Sequence, residues 1–273
     1  MELSPTPNNQ IFLNPKYITY PEDALAEIFK RQAVLQQKFI GIENAPQFPC
    51  DLSTRANQAY IKDLMYRFIE ELSEAGDLLP IMLKLCGTNR AEEAMAYMID
   101  FNEELADATH FLVDILLYTG ITPKLLQEHF LEVGFNPQSP PILEAFFDFL
   151  RFLNHQEGVE VDRRKSYMIP YHGSSDTDLI KGGRYHNPTS LIIHSDFLWF
   201  TTKAMCMAGN LMKNRRWTVS DKATDYKEVQ RKVVESTFFF FRYLEFANIH
   251  ERELYLIYCS KNDINHERIK NKR

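Results

Sequence analysis

From Arg90 to Tyr118 apolar residues return every three or four positions without a break, through Met98, Phe101, Leu105, Ala108, Leu112, Ile115 and Leu116. That period belongs to a helix, and Gly120 stands just past it as a stop. Ile61, Leu64, Met65, Phe68, Leu72 and Ala75 repeat the pattern, which predicts a second helix from Gln58 to about Leu79, limited by Pro80. Pro21-Glu22-Asp23 opens a third, over roughly 22 to 39, that carries Leu25, Ile28, Phe29, Val34, Leu35 and Phe39. Shorter helices are expected over about 123 to 133 and 141 to 154, the latter opened by Pro140-Pro141, with three more at about 195 to 213, 223 to 246 and 250 to 270. The penultimate one contains Phe238 to Phe241, four aromatics in a row that must face more than one neighbour. Glycine is scarce, at 10 of 273 residues, which disfavours sheets with their glycine-rich turns. The expectation is therefore one all-α helical bundle over 1–273, with an irregular start at 1–20 and a loop insert at about 155–192, where no period is sustained.

Charge and cysteine usage narrow the class of function. Lys plus Arg number 31 against 37 Asp plus Glu, a net charge of −6, so a broad phosphate-tracking surface and a duplex nucleic acid partner are not expected. Cys50, Cys86, Cys206 and Cys259 are far apart, with neither a zinc-ligand spacing nor a disulfide framework. A reducing, cytoplasmic home suits them. The first 20 residues lack the apolar run of a signal peptide, and no long apolar stretch follows, so a soluble chain is expected, with no membrane partner.

Two predicted helices carry carboxylates three residues apart, Glu71-x-x-Glu74 and Glu104-x-x-Asp107. Such pairs share a helix face. At about 100° per residue, Glu71 falls about 70° from the centre of its apolar stripe and Glu104 about 65° from its own, so both point partly inward. Carboxylates that converge on a core need a cation between them, and magnesium, a hard ion that takes oxygen ligands and bridges to phosphates, meets that need. Asp100 and Asp114 lie near the Glu104 face and read as surface acids that add charge. A di-iron bundle would need two Glu-x-x-His pairs, and only Asp107-Ala-Thr-His110 approximates one; His110 projects away from Glu104 and is expected behind the ligands or in packing.

Near the end, Tyr258, Lys261, Asn265 and Arg268 form one helical stripe. Two cations and an amide along a face suit a phosphate chain, and they suit equally a basic helix end facing its own dipole. A second basic cluster, Lys213-Asn214-Arg215-Arg216-Trp217, follows an earlier helix, and its tryptophan either stacks on a base or plugs the end of the bundle.

In order, these motifs resemble the all-α, MazG-like nucleoside triphosphate pyrophosphohydrolases, and within them the dimeric type 2 dUTPases. IFKRQAVLQQKF is similar to the family's first motif, with Gln32 at its glutamine and Gln36 where asparagine is usual. Glu71-x-x-Glu74 follows, then Glu104-x-x-Asp107 with His110-Phe111 behind it, like the family's E-x-x-D with a trailing HF. LMKNRRW resembles an L-K-N-x-x-W motif, and Lys261-Asn262-x-x-Asn265-x-x-Arg268 resembles the closing K-N-x-x-N-x-x-R. A tryptophan-rich stretch found after E-x-x-E in some members is replaced here by LLPIMLKLCG. The resemblance implies Mg²⁺-dependent hydrolysis of dUTP to dUMP and pyrophosphate, which limits uracil in DNA, by a homodimer. It implies metal held by Glu71, Glu74, Glu104 and Asp107, with Glu71 also the general base, and phosphates met by Lys261, Asn265, Arg268 and Lys213. Gln32, Gln36 and Trp217 would contact base or sugar. An amide offers a donor and an acceptor and can flip between uracil and cytosine, so dCTP or another deoxynucleotide stays open as substrate. A non-enzymatic helical adaptor on the same fold is the remaining alternative.

Overall fold

The computed structural model describes residues 18–43, 45–88, 90–132, 142–156, 188–214, 222–247 and 249–271. Among them are eight helices and no strand: α1 (Ala24–Glu43), α2 (Arg55–Gly87), α3 (Ala91–Tyr118), α4 (Pro123–Glu132), α5 (Ile142–Gln156), α6 (Pro188–Leu211), α7 (Tyr226–Phe246) and α8 (Glu251–Asn271). All eight contribute to one apolar cluster. The α2–α3 and α6–α7 pairs pack most extensively, α2 also meets α6, and α1 and α8 lie against α3 and each other.

Local chemistry explains the helix ends. Thr54, in extended backbone, accepts a hydrogen bond from the Asn57 N–H and so caps α2, and Asp225 does the same for Glu228 at the start of α7. At the end of α3, the Gly120 N–H donates to the Leu117 carbonyl (3.1 Å) and the Ile121 N–H to that of Leu116 (2.8 Å), with Gly120 at φ +76°. This is the glycine-terminated helix end that the sequence anticipates.

Two boundaries differ from expectation. Pro80 lies inside α2, which continues to Gly87. A proline there costs about 3 kcal/mol, whereas continuing the helix past it buries Met82 and Leu85, each worth about 2 kcal/mol, so packing wins. The insert expected at 155–192 is helical at both edges, since α5 runs through Gln156 and α6 begins at Pro188, a residue whose fixed φ suits a first helical position. The rest of that insert, and the irregular 1–17, lie outside the described residues.

The four consecutive phenylalanines of α7 each meet a different helix. Phe238 faces Phe130 of α4, Phe239 stacks on Phe200 of α6, Phe240 meets Phe68 of α2 edge-on, and Phe241 meets Phe146 of α5. Four successive side chains at about 100° spacing circle the helix, so α7 is surrounded. Cys50 and Cys259 are buried and unpaired, and Cys206 is exposed and unpaired. Among the described residues no helix is long and apolar enough to cross a membrane.

Candidate metal centre and the cleft beside it

Because α2 and α3 pack along their lengths, their inward acids meet. One carboxylate oxygen each of Glu71, Glu74 and Glu104 lies within 4.8 Å of the others. Glu71 and Glu104 are half-buried and hydrogen-bonded to each other, while Glu74 faces solvent. Two carboxyls can share a hydrogen bond only if one keeps a proton. Burial first, then the Glu71 hydrogen bond and the charges of Glu71, Glu74 and Asp107, push Glu104 up to about 8. Burial also raises Glu71, against the hydrogen bond from Glu104. The donor set is all oxygen and contains no histidine, as a hard divalent cation requires, and the raised carboxyls are the electrostatic cost that such a cation would relieve.

Asp107, one turn beyond Glu104, is placed differently from the expected fourth ligand. Its carboxylate pairs with Lys261 of α8 at 2.6 Å, and the same ammonium binds Glu103 at 2.7 Å. Burial raises Asp107 and the Lys261 charge opposes that rise. Lys261 itself is 3% exposed, so the residue expected to reach a phosphate is instead the internal counter-charge of the acidic group. The stripe lies along α8, and the helix turns this part of it towards α3 and away from solvent.

A cleft of about 410 Å³ adjoins the acids, walled by Gln32, Gln36 and Phe39 of α1, Tyr60, Asp63, Arg67 and Glu71 of α2, Asp107, His110, Phe111 and Asp114 of α3, and Asn265 and Arg268 of α8. The fold thus brings together Glu71, Asp107, Asn265, Arg268, Gln32 and Gln36, which are spread over four helices. Gln32 and Gln36 do not project freely into it. They are 1% and 5% exposed, and their amide nitrogens donate to Asp114 Oδ1 and Oδ2, both at 2.7 Å. His110 is buried; its Nδ1 lies 2.8 Å from Gln32 Oε1, its ring stacks on Tyr258, and it takes no part in the acidic group. Burial drives its pKa down to about 3, so the ring is neutral.

Lys213 is exposed and does not line this cleft. Its neighbour Asn214 clasps the start of α2, with its N–H donating to Gln58 Oε1 (2.8 Å), its amide nitrogen to the Ser53 carbonyl (3.1 Å) and its amide oxygen accepting from the Lys222 N–H (2.7 Å). Trp217 lies outside the described residues.

The sequence reading missed three residues that matter here. Asp114, expected at the surface, is 3% exposed and anchors both glutamines. A signal for it existed, since Asp114 lies seven residues after Asp107 and so almost on the same face of α3. Arg67, one turn before Glu71, adds a cation to the cleft wall beside Arg268. Glu103 completes the Lys261 ion pairs, and nothing in its local sequence distinguishes it from other helix acids. Compared with protein-family models, curated proteins and solved structures, the chain matches none.

Proposed function

We propose that this protein is a Mg²⁺-dependent nucleotide pyrophosphohydrolase that converts dUTP to dUMP and pyrophosphate. The observation that carries the reading is the meeting of Glu71, Glu74 and Glu104 within 4.8 Å, with Glu71 also in the wall of a cleft that holds Asn265 and Arg268. Glu71, Glu74 and Glu104 would hold the metal, and loss of the Glu71–Glu104 proton is the condition for binding it. When bound, magnesium supplies Lewis-acid polarisation of the phosphates and neutralises their charge. Glu71, half-buried with its pKa raised, is suited to take the proton of an attacking water. Arg268 would meet charge on the departing phosphate, Asn265 would align the chain by donating a hydrogen bond, and Lys261 would hold Asp107 in place. The cleft volume is in the range that holds a small organic ligand.

The test is pyrophosphate release from each of the common deoxynucleoside triphosphates, with and without Mg²⁺, beside Glu71→Gln. Metal-dependent release by the wild type and its loss in the variant are expected. No release from any nucleotide sinks the enzyme reading and leaves the adaptor. Supporting the dimer that the family resemblance implies, Trp199, Phe200 and Met207 expose apolar surface on α6, and sedimentation would read the assembly state.

A further inference from the structure

The interior of the cleft wall is a chain of polar groups. Asp114 accepts from the Gln32 and Gln36 amide nitrogens, one on each oxygen. At its other end Gln32 Oε1 accepts from the Tyr258 hydroxyl at 2.7 Å, closer than the Ile28 carbonyl at 3.2 Å that draws the same hydrogen, and it faces His110 Nδ1 at 2.8 Å, a bond that needs the imidazole hydrogen on Nδ1. Among the described residues, Gln36 is held beyond Asp114 by the Tyr118 hydroxyl alone, at 3.3 Å, a long bond. Turning the Gln32 amide over would break its Asp114 bond, send the Tyr258 hydrogen to the Ile28 carbonyl and change the His110 tautomer, whereas turning Gln36 over would break one short bond and one long one.

We infer that Asp114 is a specificity-determining positioning residue: by accepting from both α1 amides it dictates which edge of Gln36 is left for a ligand. Burial pushes the Asp114 carboxyl well above its ordinary range and the two amide donors pull it back down; as a carboxylate it offers two acceptors, so both nitrogens point inward and Gln36 keeps its carbonyl oxygen for the cleft side. An asparagine offers one acceptor and one donor. It can serve only one inward nitrogen, and the Tyr258 and His110 bonds reserve that place for Gln32, so Gln36 must turn over and present N–H instead. Uracil and cytosine differ in this respect, one carrying N–H and C=O where the other carries a bare nitrogen and an amino group, so the edge of Gln36 enters their ratio directly. The inference rests on the reading of the cleft as a nucleotide site and deepens it.

The experiment compares kcat/KM for dUTP and dCTP in the wild type, Asp114→Asn, Gln36→Met and the double variant, all with Mg²⁺. Asp114→Asn should move the dCTP to dUTP ratio about tenfold, the worth of one hydrogen bond in a buried site, and the shift should vanish in the Gln36→Met background. Equal loss on both nucleotides, or a shift that survives Gln36→Met, overturns it. A second measurement needs neither turnover nor a variant: ¹H–¹⁵N spectra should show His110 with its hydrogen on Nδ1. An Nε2–H tautomer would place the Gln32 amide the other way round and overturn the inference, even if the wild type hydrolyses no nucleotide and the functional reading has already fallen.

Discussion

Glu104→Gln should make the metal-free protein more stable and its response to pH flatter, while it removes the response to magnesium. Glu104 is raised from an ordinary value near 4.5 to about 8 in the folded chain. Between those values the folded state holds a proton that the unfolded state has released. Stability from this group is thus complete below about pH 4.5, falls as pH rises and is fully lost above about pH 8. The full shift corresponds to about 5 kcal/mol. A Coulomb estimate agrees: at the 4.8 Å limit of the acidic group, each like-charge pair costs about 3.5 kcal/mol at an effective dielectric of 20 and about 1 kcal/mol in water. Glu74 is exposed and Glu104 only half-buried, so solvent screening brings the expected effect to about 2 kcal/mol. For a chain of this size that is about 4–8 °C in Tm above pH 8, shrinking towards zero below pH 5. Millimolar Mg²⁺ or Mn²⁺ should raise the wild-type Tm, since a ligand at a hundred times its Kd adds about 2.7 kcal/mol, and should leave Glu104→Gln unmoved. The assay is thermal unfolding across pH 5–9.5 with and without metal. A variant with the wild-type pH slope, or with an equal gain from metal, would refute the reasoning that these oxygens form one electrostatic unit.

Lys261→Met leaves Asp107 and Glu103 without their counter-charge and should cost about 3 kcal/mol at pH 8 in denaturant unfolding, with a smaller loss as pH falls, because burial raises the Asp107 carboxyl and the charge left unpaired can be neutralised by a proton. Gly120→Ala should cost about 1–2 kcal/mol, because φ is +76° and a Cβ would stand 3.3 Å from Pro49 Cβ; the urea midpoint would show it, and an unchanged midpoint would contradict the helix-end geometry. Asn214→Ala removes two part-buried bonds of the clasp and should lower stability by about 2 kcal/mol while leaving the Mg²⁺-induced rise in Tm intact; loss of that rise would tie the clasp to the acidic site.

Much of the bundle is written in single helices. The apolar periods of α2 and α3, the proline openings and Gly120 place most helix boundaries within a few residues, because each depends on one turn of chain and its own caps. Where the sequence misled, a distant partner decided the outcome. Pro80 reads as a stop until the burial of Met82 and Leu85 beyond it is counted against it. Asp114 reads as a surface acid until α1 covers it, and Lys261 as a phosphate contact until α8 packs it against the acids of α3.

The inward tilt of Glu71 and Glu104 was legible from the helical angle alone, since each acid's direction is fixed by the apolar residues of its own helix. Their convergence was not. Whether two inward acids face each other or face apolar neighbours depends on how α2 and α3 are offset along their shared contact, and that offset is set by side chains far away in sequence. The same holds for the stripe on α8. Spacing alone establishes that Lys261, Asn265 and Arg268 share a face, but only the rotation of α8 against α3 directs the first to buried carboxylates and places the other two in the cleft wall, because the helix turns as a whole to bury Tyr258 and its apolar neighbours.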